Sequence, residues 1–494
     1  MARQDEILKE RLRKIEELRK KEINPYPYSY EKKISFSELQ EKYKKLKQDS
    51  KTKDKVKTAG RVLMIRDMGK LIFATLQDET SKIQLQIQEN ETPDKEIQFF
   101  KKYIDSGDFV GVEGTILRTR RGELSILANK IELLTKSLLP LHEKWHGLQD
   151  KEERYRKRYL DLIMNPEVKN VFITRSKIMD SIREFLNQKC FLEVDTPVLQ
   201  PIYGGAAAKP FTTELNALKM KLYLRISNEL YLKRLIVGGF ERVYEFARDF
   251  RNEGIDRTHN PEFTQVEMYQ AYSDYNDMMS LCEDLWLFVA KKILGKTEFE
   301  YQGKKINLKK PWKRLTMKQA IKEYAKLDID KLTDEKLHEI IKKNNMKTKG
   351  DTRGWLIAAI FEHFCEKELI QPTFIYDYPE DTTPLCKQKR GDEMSYFVER
   401  FEPYINGWEL GNAYSELNDP VRQQILLEKQ AVELKKGNEE ANPMDEDFVN
   451  ALEFGMPPAG GLGIGIDRMV MLLTNSLSIR DVILFPFMKI SESE

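Results

Sequence analysis

Val243–Tyr269 reads VYEFARDFRNEGIDRTHNPEFTQVEMY. Val243, Glu245, Ala247, Asp249, Arg251 and Glu253 share one parity, while Tyr244, Phe246 and Phe250 share the other. Successive side chains of a strand point to opposite faces, so this pattern predicts a strand with one polar and one aromatic face. Gly254–Pro261 then reads as a loop, and a second strand places Gln265, Glu267 and Tyr269 on one face. The expected object is an antiparallel hairpin with Arg251 and Glu253 beside Glu267 and Tyr269. An arginine fork suits a carboxylate or a phosphate. A purely structural salt-bridge ladder is the competing reading of the same charges.

Three further segments extend the picture. In Phe401–Asn418 (FEPYINGWELGNAYSELN), Asn406-Gly407 is a two-residue hairpin turn. Pairing Ile405 with Trp408 sets Tyr404 opposite Glu409, with Glu402 diagonal on the same face. Two carboxylates so placed can hold Mg²⁺, or can be two surface acids. Asn412, Tyr414 and Glu416 have the opposite parity from Glu409, so all of them line one site only if the strand is re-phased near Gly411, most simply by a bulge. Ala459–Arg468 (AGGLGIGIDR) lacks the Gly-Lys-Ser/Thr of a phosphate loop. It predicts a tight strand with a helix behind it and Arg468 at the junction. Finally, Ser227 reads as the N-cap of a helix whose first turn carries Glu229, preceded in the chain by Gly204-Gly205.

The N-terminal third has another character. Leu8, Leu12, Ile15 and Leu18 predict a helix whose stripe docks on the domain behind it, contact with RNA being the alternative. Lys82–Gln88 (KIQLQIQ) alternates strictly, which buries Ile83, Leu85 and Ile87 and wets the glutamines. With Gly60–Ile65, Leu71–Leu76, Val110–Arg118 and Glu123–Leu127, about five short strands predict a small closed barrel of OB-fold type. Such barrels stack bases on aromatics beside polar and basic side chains, and Arg66, Phe73 and Gln84 are the candidates. Lys42–Lys57 is a dense basic run, either a solvated face or a phosphate contact.

The 494 residues suffice for two or three domains. With 33% charged residues and no apolar run near the ~18 residues of a membrane span, a soluble protein is expected. Four scattered cysteines lack zinc or redox spacing, and Met1–Glu6 is charged, so a cytoplasmic location is expected. A net charge of +2 argues against indiscriminate nucleic-acid binding.

Together these segments resemble the signature motifs of the class II aminoacyl-tRNA synthetases. Phe191–Pro197 resembles the first motif, Phe250–Gly254 through His259–Thr264 the second, and Gly461–Arg468 the third. A barrel ahead of the catalytic domain resembles subclass IIb, which covers lysine, aspartate and asparagine. His146–Leu148, Arg154–Arg156, Tyr159–Leu162 and Gly407–Asp419 resemble the lysine enzymes in particular. The resemblance spans nearly the whole chain. It implies an α+β protein with an N-terminal OB-fold barrel and a catalytic domain on an antiparallel sheet flanked by helices. The expected layout is a helical extension over 1–50, the barrel over 51–140, a linker over 141–160 and the catalytic domain over 161–494, with a lysine-rich helical insertion at about 300–350.

The implied reaction is ATP-dependent activation of L-lysine to lysyl-adenylate with release of pyrophosphate, then transfer to the 3′ end of tRNA(Lys). Arg251 and Arg468 would be catalytic, Arg251 bridging the lysine carboxylate and the α-phosphate. Glu253, His259, Phe263 and both arginines would bind ATP, Phe263 stacking on adenine. Glu402 and Glu409 would hold Mg²⁺. Gly205 and Glu229 would hold the α-amino group, and Glu416 with Tyr269 the ε-ammonium. Glu267, Asn412, Tyr414 and Gly465 would shape the pocket. Arg66, Phe73 and Gln84 would grip the anticodon, and the first motif would build a homodimer. An aspartate or asparagine enzyme should not place glutamates at 229 and 416. A protein-modifying paralogue would lack the barrel. A non-catalytic relative would have lost Arg251, Glu253, His259, Glu402, Glu409 or Arg468.

Overall fold

The computed structural model describes residues 2–141, 150–391 and 396–489; the motif residues His146–Leu148 lie outside them. Two compact units divide the chain, Met1–Gln149 and Asp150–Glu494.

In the first unit, strands β1 (Ser50–Asp67), β2 (Leu71–Gln77), β3 (Lys82–Gln88), β4 (Phe109–Arg118) and β5 (Leu124–Thr135) close in the order β1-β2-β3-β5-β4. The expected barrel is therefore present. Ile83, Leu85 and Ile87 point into it with Ile72, Ala74 and Leu76 of β2. Gln86 departs from the wet face expected for it. It is buried, opposite Phe73, and donates to Gln88 Oε1 at 2.7 Å. The helix Ala2–Lys20 docks on the barrel through Ile15 and Leu18, while Leu12 is exposed. A polar clamp secures it. Arg11 donates to the carbonyls of Ser106 and Ser137, and Lys14 pairs with Asp105 at 2.8 Å. Asp105 also receives the fully buried Lys136, which pairs with Asp108 at 2.8 Å. These polar residues turn the helix so that Leu12 faces water. Lys51, Lys53 and Lys55, from the basic run, stand exposed on the first part of β1.

In the second unit, β6 (Leu192–Glu193) precedes a small three-stranded sheet of β7 (Leu199–Gln200), β8 (Thr212–Leu215) and β9 (Met220–Leu224). The hairpin β10 (Arg242–Phe250) and β11 (Glu262–Ala271) follows. A second hairpin pairs β12 (Glu298–Tyr301) with β13 (Lys304–Asn307), and β14 (Lys313–Thr316) comes next. Then come β15 (Thr373–Pro379), β16 (Phe397–Ile405), β17 (Trp408–Glu409), β18 (Gly411–Ser415) and β19 (Ala459–Gly465). The main sheet has nine strands in the order β14-β15-β16-β18-β19-β11-β10-β6, with β17 paired to β16. All its pairings are antiparallel except β14 with β15 and β6 with β10.

The region 300–350 is helical only in its second part, Asp334–Lys343 forming its longest helix. Its start is strand because Phe299, Tyr301 and Ile306 alternate inward, and Gln302-Gly303 turns the chain with positive φ at both positions.

Parity assigns the faces of the central strands. Val266, Met268, Ala413, Leu462 and Ile464 pack with Trp286 and Met279 of the helix Tyr275–Leu294 and with the helix Pro166–Gln188. Tyr269, Tyr404 and Tyr414 point the other way, toward the helices Glu229–Val237, Arg353–Phe364 and Glu446–Glu453. The polar residues of the hairpin lie on this second face.

Candidate active site

The hairpin pairs Val243 with Tyr269, Glu245 with Glu267, Ala247 with Gln265 and Asp249 with Phe263. On its other edge β11 sets Tyr269 against Gly461, Glu267 against Gly463 and Gln265 against Gly465. Strand β18 then sets Tyr414 against Gly461 and Asn412 against Gly463. The glycines of β19 thus form a side-chain-free floor between two polar walls. A Cβ on Gly461 would come within 2.2 Å of Glu416 Oε1 and 2.5 Å of the Tyr269 ring. Gly461 and Gly463 are floor residues that the sequence reading passed over in favour of Gly465 alone.

The re-phasing expected near Gly411 is present. Tyr404 pairs with Glu409 and Ile405 with Trp408, but Phe401 pairs with Ala413 and Arg400 with Tyr414. The pairing slips by one residue between Glu409 and Ala413, while Leu410 N donates to Pro403 O at 2.8 Å. Glu402, Glu409, Asn412 and Tyr414 therefore reach one face. Asn406 and Gly407 both take positive φ, as the turn requires.

At the deep end lies a buried charge cluster. Glu229 opens its helix, with the preceding Asn228 at the N-cap rather than Ser227 as expected. Asn228 turns inward and donates to Glu245 at 2.9 Å, while Ser227 Oγ accepts from Glu229 N at 3.1 Å. Gly205, at φ 88°, packs on Ser227 and Glu229 where a Cβ would clash. One turn along the helix, the fully buried Lys233 sets its ammonium 2.6 Å from Glu229 Oε1 and 2.5 Å from Glu416 Oε2. Burial alone would push Lys233 down; the two carboxylates reverse this and hold it above its usual range. Burial also raises both acids, against the pull of Lys233. Glu416 Oε2 meets Lys233, while Oε1 has no hydrogen-bond partner among the described residues.

Glu267 accepts from Gln265 at 2.6 Å, Ser227 at 3.2 Å and Tyr269 at 3.3 Å. Burial, then Asp249 and Glu229, raise it well above the carboxylate range. Burial also pushes Asp249 up to about 6 against the pull of Arg225 and Arg251. Arg225 pairs with Glu245 at 2.6 Å and Asp249 at 3.3 Å.

Arg251 continues the hairpin, its N–H bonded to Pro261 O at 2.9 Å. It lies at the loop end, away from Tyr269, because the register places Val243 there. Its guanidinium covers the ring of Phe263 at 5.0 Å. Glu253 falls beyond the strand and is exposed, so it does not stand beside Glu267. In the same loop His259 Nδ1 lies 2.8 Å from Asp256 and its Nε2 3.5 Å from Arg468. Arg468, in the helix after β19, donates to Glu409 O and lies 3.7 Å from the Glu409 carboxylate.

Glu402 is fixed on three sides. Arg400 meets Oε1 at 2.5 Å, and the hydroxyls of Tyr378 and Tyr404 each donate to Oε2 at 2.7 Å. Arg400 also donates to Asn412 Oδ1 at 2.9 Å. Burial and then the charge of Glu402 raise Glu409. Lys233, Arg225 and Arg400 were not singled out from the sequence. The only trace there is the Glu229/Lys233 spacing of four, which on most helices marks an exposed pair.

In the barrel, Phe73 is half-buried, with parity opposite to the core residues Ile72 and Ala74. Its neighbour across the strand is Arg66, which is exposed. Gln84, opposite Thr75, accepts from Ser125 Oγ at 2.8 Å.

A family model described as tRNA synthetases class II (D, K and N) matches residues 150–489. The chain belongs to the class II tRNA synthetases. It is an enzyme of the aminoacyl-tRNA synthetase type, and its residues 56–134 match an OB-fold nucleic acid binding domain. A lysine–tRNA ligase of Carboxydothermus hydrogenoformans is 51% identical over 98% of both chains. One of Methanoculleus marisnigri is 50% identical over 96% of this chain and 94% of that protein. A lysine–tRNA ligase 2 of Methanosarcina mazei is 50% identical over 94% and 91%. Among the described residues of this synthetase, no helix is long and apolar enough to cross a membrane.

Because the bulge sets the phase of β18 against β16, Gly411 is a sensitive point. A Cβ there would meet Gly463 O at 2.2 Å, a backbone atom that cannot step aside. Gly411→Ala is expected to cost about 1–3 kcal/mol in urea unfolding and to lower adenylate formation, measured by ATP–pyrophosphate exchange.

Proposed function

We propose that this synthetase activates L-lysine with ATP and transfers it to the 3′ end of tRNA(Lys). The observation that carries the reading is the pair of buried acids, Glu229 and Glu416, at the deep end of the glycine-floored trough. A substrate with two ammonium groups suits them: the α-amino group beside Glu229 and Gly205, and the ε-ammonium beside Glu416 and Tyr269. Glu267, Asn412, Tyr414 and Gly465 complete the wall and floor. An apolar side chain would leave Glu416 Oε1 buried with no donor, a rejection of the strong kind. An aspartate side chain would meet like charge. This separates the lysine reading from its aspartate and asparagine relatives.

The amino-acid carboxylate is already ionised at neutral pH, so its attack on the α-phosphate needs no general base. Repulsion between two anions is the obstacle, and Arg251 sits where it meets both. Arg468 and His259 hold the outer phosphates, with Glu253 at the mouth and Phe263 under adenine. Transition-state stabilisation is thus positioning plus electrostatics. Glu402 and Glu409 would hold Mg²⁺. Two oxygen-donor carboxylates, one aimed by three partners and the other raised by its neighbour's charge, fit a hard dication. When bound, the ion supplies charge neutralisation at the phosphates. In the second step a ribose hydroxyl of the tRNA attacks the mixed anhydride. Arg66, Phe73 and Gln84 grip the anticodon on the outer face of the barrel. A homodimer through the Phe191–Pro197 region and a cytoplasmic location complete the reading.

The deciding experiment is pyrophosphate exchange with the twenty amino acids offered singly. Lysine alone should support it; exchange with aspartate or asparagine instead would refute the assignment. Glu416→Gln should raise the KM for lysine about 10- to 100-fold, the worth of a charge-assisted contact. An unchanged KM removes Glu416 from this role. Phe73→Ala should raise the KM for tRNA about 10-fold or more, the worth of one stacked base. Pyrophosphate exchange should stay intact, and equal loss in both assays would count against a platform role.

A further inference from the structure

Lys233 belongs to none of the roles above, yet it is a fully buried cation at the centre of the amino-acid end. Its ammonium touches Glu229 and Glu416 at once, so the two acids stand no farther apart than these contacts allow. Two carboxylates that close in a dry site do not both ionise unless a cation sits between them. The ammonium also lies over two rings: the centroids of Tyr414 and Phe448 are each 6.0 Å from Nζ.

Glu416 Oε2 meets the Lys233 ammonium at 2.5 Å. The other oxygen, Oε1, lies over Gly461, where any Cβ would strike it, and has no hydrogen-bond partner among the described residues. A buried carboxylate with one oxygen clamped and the other open is an acceptor aimed into the trough.

We infer that Lys233 is a specificity-setting positioning residue: its ammonium clamps Glu229 and Glu416 as a charged pair, and leaves Glu416 Oε1 as the acceptor that demands a distal ammonium from the substrate. This rests on the lysine reading of the pocket. Without the clamp the two acids share a proton: the net charge of the cluster is unchanged, because the ammonium is lost together with one carboxylate charge, but Glu416 is no longer held ionised and in place, so a side chain without an amine is penalised less. Nothing on the phosphate side touches Lys233, so ATP handling should be spared.

Lys233→Met and Lys233→Arg test this in the full-length enzyme by pyrophosphate exchange, with norleucine as the amine-free competitor. In Lys233→Met the KM for lysine should rise at least about 10-fold, with kcat and the KM for ATP near wild type. Inhibition by norleucine should strengthen relative to lysine. Lys233→Arg, which keeps the charge on a different fork, should fall between the two. An unchanged lysine KM in Lys233→Met overturns the inference. So does a loss of kcat and ATP affinity of equal size in both variants, because that is the mark of a merely structural residue. If Lys233→Met does not fold, Lys233→Arg decides: lysine KM raised with ATP KM unchanged supports the clamp, and wild-type values for both refute it. Wild-type enzyme that ignores lysine would instead refute the substrate assignment, a separate failure.

Discussion

A carboxylate taken out of water costs several kilocalories per mole unless a cation or hydrogen-bond donor meets it, and the main sheet buries Glu229, Glu245, Asp249, Glu267 and Glu416 on or beside one face. The surrounding structure follows from how each is met. Arg225 takes Glu245 and Asp249, with Asn228 and Thr196 completing Glu245. Gln265 bridges Asp249 and Glu267. Lys233 takes the remaining pair. These partners come from β11, the loop between β6 and β7, the loop before the helix Glu229–Val237 and the helix itself, while Glu245 and Asp249 stand on β10. The acids therefore tie those elements together, and their rotamers are fixed before any substrate arrives. A site of this kind is rigid by construction, because releasing one partner exposes an uncompensated charge.

Room for a ligand needs the opposite provision, and β19 supplies it. Its alternation of glycine with Leu462 and Ile464 serves two faces at once: the aliphatic residues join the helix-side core while the glycines leave the floor open. A strand of larger residues would fill the trough with its own side chains. Such close strand approach has a geometric consequence at β18, where Gly411 lies against Gly463 and the pairing slips by one residue. The slip brings the paired acids Glu402 and Glu409 onto the same face as Asn412, Tyr414 and Glu416.

Periodicity made much of this legible. The alternation of Lys82–Gln88, the two parities of the hairpin, and the turn at Asn406-Gly407 each depend on neighbouring residues alone. The phase conflict between Glu409 and Glu416 was arithmetic on the same strand, and it forced the bulge. What stayed hidden was long-range pairing. Lys233 four residues after Glu229 looks like an ordinary helix-surface pair, and only Glu416, far along the chain, makes it a buried bridge. Arg400 had no sequence cue to Glu402, Asn412 and the rings of Tyr378 and Tyr414 beside it. Ser227 looked like a cap because serine suits that position, but Asn228 took it while its side chain answered Glu245. The opening of the 300–350 region looked helical through its lysines. Burial of Phe299, Tyr301 and Ile306 outweighed that composition.

The two ends of the site differ in kind, and the difference bears on how selection is made. The acidic end is buried and cross-linked by hydrogen bonds, so a wrong side chain meets groups that cannot relax toward it. The end proposed to take the phosphates is built on the loop after β10, where Glu253, Arg257 and His259 are exposed. His259 there is held by Asp256, whose carboxyl is raised by burial but lowered further, to about 2, by the N–H of Thr258 and by His259. That local pairing orients the imidazole toward Arg468 without tying the loop to the core. On the proposed reading, discrimination between amino acids would therefore fall to the rigid half, where desolvation makes each mismatch costly. In the function proposed above, the exposed half would meet a nucleotide common to every substrate, so it would have no such choice to make and could adapt its side chains to the phosphates.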